Sequence, residues 1–459
     1  MFSLLILVRG SASGTIGPNV VVNTPGYFVA NNSPSIVRNP RRFDNLVVVH
    51  RVDQPPYSAS LEWSNDSGRS WRTVALPLPP GSAEPYAPDA AFAPDGTLYV
   101  SYVSLHGTGH VPDNLWVARS VDGGRTLSEP VRVSGSLAFQ ARLVAGGDGM
   151  VHVTWLQASE VGLFSIVGSS NPIVSSASSD HGRSFSAPVR VSDPERQLVG
   201  AATPIIDSKG RLVVLYEDFK RDHRDFENLD GPVWDQPMAL VVSRSSDGGQ
   251  SFSTGKEVDS DVIASQRFVV YLPEFPSLAA GPQGSLYVAW ADSRNGDEDV
   301  LLRRSDNGGE SWTAATRVND NRIHDGTARS LPRVGVAANG RVDVLFVDGR
   351  GDAARTRANV YLASSGDRGK SFRNVRMTSS SFDRGVGPET PRGPVNFGSC
   401  LGLTSESGRV LAAWTDTRLG DRVSRRQDVV FAAFSREGSR RATVLWSLAA
   451  GVAAAMALL

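Results

Sequence analysis

Three stretches of this 459-residue chain place a carboxylate two residues before a guanidinium: Trp290-Ala-Asp292-Ser-Arg294, Phe346-Val-Asp348-Gly-Arg350 and Trp414-Thr-Asp416-Thr-Arg418. A looser copy reads Tyr216-Glu-Asp218-Phe-Lys-Arg221. An arginine fork matches a carboxylate in bidentate fashion, so such pairs could help to hold an acidic sugar. They could equally stitch each loop to itself or to a neighbour. Repetition favours stitching, because one asymmetric substrate rarely needs the same pair four times. Two further groups have ligand-like spacing. His106 and His110 with Asp113 lack a convincing third metal ligand, and Asn295-Gly-Asp297-Glu-Asp299 lacks the full calcium-loop pattern. The chain carries no HExxH, GxSxG or phosphate-cradling glycine loop in suitable context, so no cofactor is expected.

These signatures recur because the chain itself repeats. Ser245-Ser-Asp247-Gly-Gly249-Gln-Ser251-Phe252 has counterparts at Ser64–Trp71, Ser178–Phe185 and Ser365–Phe372. Two altered copies end in Leu127 or carry Asn307 for Asp. The key positions 66, 122, 180, 247, 307 and 367 lie 56, 58, 67, 60 and 60 residues apart, a period that marks a repeat architecture. In each copy the short carboxylate can accept hydrogen bonds from its own turn, glycine supplies a positive φ, and the last aromatic packs back onto the sheet. Each repeat also holds four strand-like runs. The strongly apolar second runs are Leu46–His50, Leu98–Tyr102, Val151–Trp155, Leu212–Tyr216, Leu286–Trp290, Val342–Phe346 and Val410–Trp414. That makes seven units. The seventh ends in a decayed copy at Ser435 and lacks its own fourth strand, which Asn19–Asn23 is expected to supply.

The Ser-x-Asp-x-Gly-x-Ser/Thr-aromatic frame resembles the Asp-box (BNR repeat) of sialidase-like β-propellers, and the likeness covers nearly the whole chain. It implies an all-β propeller of four-stranded blades, seven by the count above and six in the well-known sialidases. In that family the boxes are structural and mark the face opposite the active site. The first strands are innermost, so aligning them on their turn glycine puts Asp89, Arg142, Thr203, Ser277, Arg333 and Leu401 around the channel mouth. Long connections on the same face are 217–238, 261–275 and 379–399. By the resemblance, substrate-binding arginines would be Arg142 and Arg333 with Arg38 or Arg392. Tyr271 with Glu274 would be the nucleophile pair and Asp89 the acid. The implied function is a sialidase-like glycoside hydrolase or a glycan-recognising propeller acting at the cell surface. A non-catalytic module binding glycan or protein is the alternative.

Composition is consistent with this reading. The 47 basic residues balance 47 acidic ones, which gives no electrostatic reason to expect nucleic acid as a partner. Cys400 is the only cysteine, so no internal disulfide forms. Plentiful glycine (45) and proline (27) suit many short strands joined by turns. Residues 1–14 resemble a truncated export signal, and 15–438 form the repeat domain. Residues 442–459 form a hydrophobic tail behind Arg440-Arg441, long enough at about 1.5 Å per residue to reach across a bilayer core as a helical anchor. The expected protein is an exported monomer, periplasmic or at the cell surface, whose tail contacts the membrane.

Overall fold

The most apolar run of each repeat becomes the second strand of a four-stranded antiparallel sheet. Such a strand is covered on both faces by neighbouring sheets, so residues of both faces are buried, as along Leu212–Asp218. The computed structural model describes residues 14–436 except 55, 83, 108–110, 160–170, 221–236, 264–273, 353, 355 and 390–394. Seven sheets follow one another along the chain, each running from an inner to an outer strand. Blade 1 comprises Asn31–Arg38, Leu46–Val52, Ser58–Ser64 and Arg72–Val74. Blade 4 comprises Val199–Ile206, Leu212–Asp218, Met238–Ser245 and Lys256–Val262. Inner strands of adjacent blades touch all the way round, including the pair Gly402–Ser405 of blade 7 and Asn31–Arg38 of blade 1. The chain is a seven-bladed β-propeller.

The amino-terminal segment closes the ring. Val20 pairs with Phe431 and Val21 with Val430, which supplies blade 7 with the outer strand that its own repeat lacks. Gly14–Ile16 continues this pairing along Phe434–Arg436. The hydrophobic tail, most of the export-like segment and the residues after Arg436 in the decayed repeat lie outside the described residues. Among the described residues no helix is long and apolar enough to cross a membrane.

The repeated turn has one hydrogen-bond pattern. In the first copy, Asp66 Oδ1 accepts the Arg69 and Ser70 N–H groups at 2.9 and 3.0 Å, and Asp66 Oδ2 accepts the Ser70 hydroxyl at 2.6 Å. Ser64 donates its hydroxyl to Asp66 and accepts the Gly68 N–H at 2.9 Å. Despite some burial, these donors hold the Asp66 carboxyl down at about 2. Asn307 reproduces the set in amide form, accepting from Ser311 N and donating to Ser311 Oγ. The turn is therefore a local structural device that needs no ligand.

The inner strands share a second irregularity, at the opposite end. In blades 1, 2, 3, 4 and 6 the pairing with the second strand shifts by one residue. At each shift Ser33, Ala87, Gln140, Ala201 or Leu331 takes a φ of 49 to 56°. A bulge of this kind bends the strand and re-aims its side chains. Here it does so around the axis, at the mouth away from the boxes.

Candidate functional site

The repeated Asp–Arg pairs are structural. Arg294 donates to Asp292 of its own blade and to Asp259 in the outer strand of blade 4. Arg350 bridges Asp348 and Asp320 in the same way, and Arg418 joins Asp416 to Ser379 and Asn19. In blade 4 the partner of Asp218 is Arg196, which also reaches Asp193. Asp218, Asp259, Asp292, Asp348 and Asp416 are buried, so each needs its guanidinium, and each guanidinium ties one blade to the next. Of the other two motifs, His110 lies outside the described residues, and the carboxylates have internal partners. Asp299 accepts from Asn319 and Arg317, Asp297 accepts from Gly326, and Asp113 accepts from Ser104. Among the described residues, no group of three His, Cys, Asp or Glu could hold a metal ion.

The axial mouth is different because its positions differ from blade to blade. The register places Ser35, Asp89, Arg142, Thr203, Ser277 and Arg333 opposite the fourth residue of their second strands. In blade 7 that place falls to Gly402, opposite Ala413, while Leu401 turns into the core. Three of these side chains stitch inner strands together. Asp89 accepts the Leu143 N–H at 3.0 Å, Ser277 accepts the Val334 N–H at 2.9 Å, and Thr203 donates to Pro276 O at 2.9 Å.

The two arginines make no such backbone-stitching bonds, and Arg142 has Cys400 and Asp89 beside it. Arg142 stacks over the Phe275 ring at 4.0 Å, and its nearest carboxylate oxygen, on Asp89, is 3.9 Å away. Burial works against its charge, but Cys400 and Asp89 more than offset this and raise its pKa. Arg333 makes no hydrogen bond or ion pair among the described residues. Burial, then the charge of Arg142, lower its pKa. A third guanidinium, Arg51, joins them from the second strand of blade 1. It is tied to Asp53 at 2.9 Å, and Asp53 also accepts from Tyr86 and Asn396, both at 2.6 Å. Arg51, Tyr86, Arg142, Phe275, Ser399 and Cys400 line a cavity of about 50 Å³. That volume holds a carboxylate-sized group or a few waters, so a whole sugar would sit above it.

Blade 4 and the connection into blade 5 contribute two acids, Glu217 and Glu274. Glu217, on the second strand of blade 4, is buried (7% exposed) and makes no hydrogen bond or ion pair among the described residues. Burial and the neighbouring Glu274 push its carboxyl up to about 8. Glu274 accepts the N–H of Leu331, the bulge residue of blade 6. Burial and Glu298 nonetheless raise it to about 8 as well, against the pull of Leu331 N–H and Arg384. Glu274 precedes Phe275 in the chain, so the acidic and basic walls meet at this dipeptide. Each acid keeps its proton to a higher pH than a free carboxyl and, while protonated, can donate a hydrogen bond.

No family model matches the chain, and no curated protein does. Solved structures do. A protein of unknown function from Dyadobacter fermentans aligns over 92% of this chain and 99% of its own, at 14% identity and a TM-score of 0.53. An α-L-arabinofuranosidase from Fusarium graminearum aligns over 92% and 98%, at 14% identity and a TM-score of 0.48. A Hadza microbial sialidase aligns over 89% of this chain and 66% of its own, at 15% identity and a TM-score of 0.44. At these identities the likeness is one of fold alone.

The predicted site residues separate into groups. Arg142 and Arg333 lie near one another, close enough for the charge of Arg142 to act on Arg333. Asp89 sits beside them, but its carboxylate is engaged by a backbone N–H. Glu274 faces Glu217 and Leu331. Arg38 lies elsewhere: it is paired with Leu46 at the box end of its strand, ion-paired to Glu406 and stacked 4.4 Å from the Phe43 ring. It is three residues further along its strand than Ser35, the equivalent of Arg142, which is about 10 Å. Tyr271 and Arg392 lie outside the described residues. Sequence reasoning missed Arg51 and Cys400, and took Glu217 as the start of a loop. A signal was present for two of them. The sixth residue of each second strand reads Arg51, Val103, Leu156, Glu217, Ala291, Val347 and Thr415, so two charges interrupt a series otherwise made mostly of apolar residues.

Proposed function

We propose that the axial mouth recognises the carboxylate of an acidic glycan, with Arg142 and Arg333 as the contacting residues and Arg51 completing a positive wall. The observation that carries this reading is Arg333. A guanidinium at the mouth of a channel, with no carboxylate hydrogen-bonded to it and beside a second arginine, is costly unless an anion arrives to share it. Arginine suits the task because its planar fork engages both oxygens of a carboxylate. The cavity is sized for that group, which leaves the rest of the glycan on the loop-bearing face.

Calorimetric titration with sialylated and uronic-acid oligosaccharides tests the proposal. Arg142→Ala and Arg333→Ala should each weaken binding by 10-fold or more, the effect of losing about 1.5–3 kcal/mol in a charged hydrogen bond. Equal affinity for an acidic oligosaccharide and its carboxyl-reduced form would overturn it.

A hydrolytic role has one observation in its favour, the pair Glu217 and Glu274. A carboxyl raised to about 8 is poised as a general acid at neutral pH. Turnover of a panel of fluorogenic sialosides and other glycosides, lost in Glu274→Gln, would support it. Silence across the panel from protein that still binds acidic glycans leaves recognition without catalysis.

A further inference from the structure

The mouth has two unlike walls. Arg51 and Glu217 occupy the same place in the second strands of blades 1 and 4. In blades 1 and 2 that place lines the axial cavity, through Arg51 and Val103. Glu217 is more than nine-tenths buried, and its immediate strand neighbours, Gly200 on the inner strand and Leu240 on the third, offer it no side-chain partner. A carboxyl buried without a donor or cation is costly, and structures normally relieve that cost with a hydrogen bond. Nothing within the repeat requires the residue, since five of the seven blades manage with Val, Leu, Ala or Thr there.

Resting on the reading that an acidic sugar binds here, we infer that Glu217 forms a second, neutral half of the site and donates a hydrogen bond to a hydroxyl or ring oxygen of the sugar whose carboxylate faces Arg142 and Arg333. The ligand is thereby specified at two points. It is a monosaccharide acid with its charge toward the arginine wall and its hydroxyl-bearing edge toward blade 4. A plain anion satisfies only the first half, and a neutral sugar only the second. Glu274 supports the arrangement, because its proximity discourages ionisation of Glu217 while one of its own oxygens is held by Leu331 N–H.

The test is titration of D-glucuronate and N-acetylneuraminate, followed by ligand-observed NMR from pH 6 to 9. Glu274, Glu298 and Arg384 lie on the same side, and Cys400 sits with the arginines, so the profile is read in Glu217→Gln, Glu274→Gln and Cys400→Ser as well as in the wild type. Wild-type affinity should fall 10-fold or more as pH rises through about 8, because the ionised carboxylate no longer donates. Glu217→Gln keeps a donor, so it should bind at pH 6 and lose most of the pH dependence. Glu217→Leu should bind at least 10-fold more weakly at pH 6 while melting cooperatively. If Arg333→Ala abolishes binding but wild type and Glu217→Gln share one pH profile, the inference is wrong and the arginine reading stands. If affinity rises with pH, Glu217 acts as an anion and the inference is likewise wrong. If neither acid binds at any pH, the arginine reading falls and the inference falls with it.

Discussion

Gly68 in the first turn of the repeat lies against the ring of Phe431 in the last blade, so closely that a Cβ would sit 2.7 Å from Phe431 Cζ. The contact joins blade 1 to blade 7, where the ring is closed by the amino-terminal strand. Gly68 also has a φ of 86°, which a side chain resists. Gly68→Ala should therefore cost about 2–5 kcal/mol from the left-handed backbone and the overlap together. Gly210→Ala is the control: φ is 75° but nothing lies within 4 Å, so about 1–2 kcal/mol is expected. Urea unfolding of both variants checks the difference. Equal losses would mean that the Phe431 contact contributes nothing.

Arg294 bridges Asp292 and Asp259, whose carboxylates are almost wholly buried. Arg294→Ala should destabilise the protein by about 3–5 kcal/mol, because it strips a partner from two buried charges. Glycan affinity of the folded variant should not change. A loss of affinity without a loss of stability would return these pairs to the binding site.

Glu217 links stability to pH. Its carboxyl titrates near 8 when folded and near 4.5 when free, so between those values the folded state holds a proton that the unfolded state has released. Stability is full below about 4.5 and falls as pH rises toward 8, by at most about 1.4 kcal/mol per pH unit. Glu217→Gln should flatten this fall, with its advantage over wild type largest at pH 8. Melting both proteins at several pH values decides the matter, and parallel curves would contradict it.

His152 produces the opposite slope. Its ring packs where the Gly249 turn of blade 4 meets blade 3, and burial lowers its pKa from 6.5 to about 4. The unfolded chain takes up a proton first, so stability is lost as pH falls from 6.5 toward 4. His152→Gln should be less stable than wild type at pH 7 and close much of that gap by pH 4. A gap that stays constant would show that the ring titrates normally.

Much of the fold could be read from spacing. Six turn copies in register and seven apolar second strands specify the blade count, and the missing fourth strand of the last repeat points to Val20–Val21. The boxes fold by local hydrogen bonds within a few residues, which is why their pattern survives in sequence. Arg142 and Arg333 were also legible, since equivalent positions in a repeat occupy equivalent places around an axis.

Arg38 and Arg51 show where that logic stops. Arg38 stands close to Ser35 in sequence, but strand geometry carries it to the far face. Arg51 belongs to a second strand, yet it reaches the cavity beside Arg142. The sequence alone determined the architecture and which face carries the irregular residues, because repeated short-range turns and alternating strands encode both. Tertiary structure alone decided that Arg51 joins Arg142 at the cavity and that Glu217 is buried beside Glu274. Arg51 and Arg142 come from blades 1 and 3, and Glu217 and Glu274 from blade 4 and the connection into blade 5, and only ring closure and the bulges at the inner strands bring side chains so distant in sequence together.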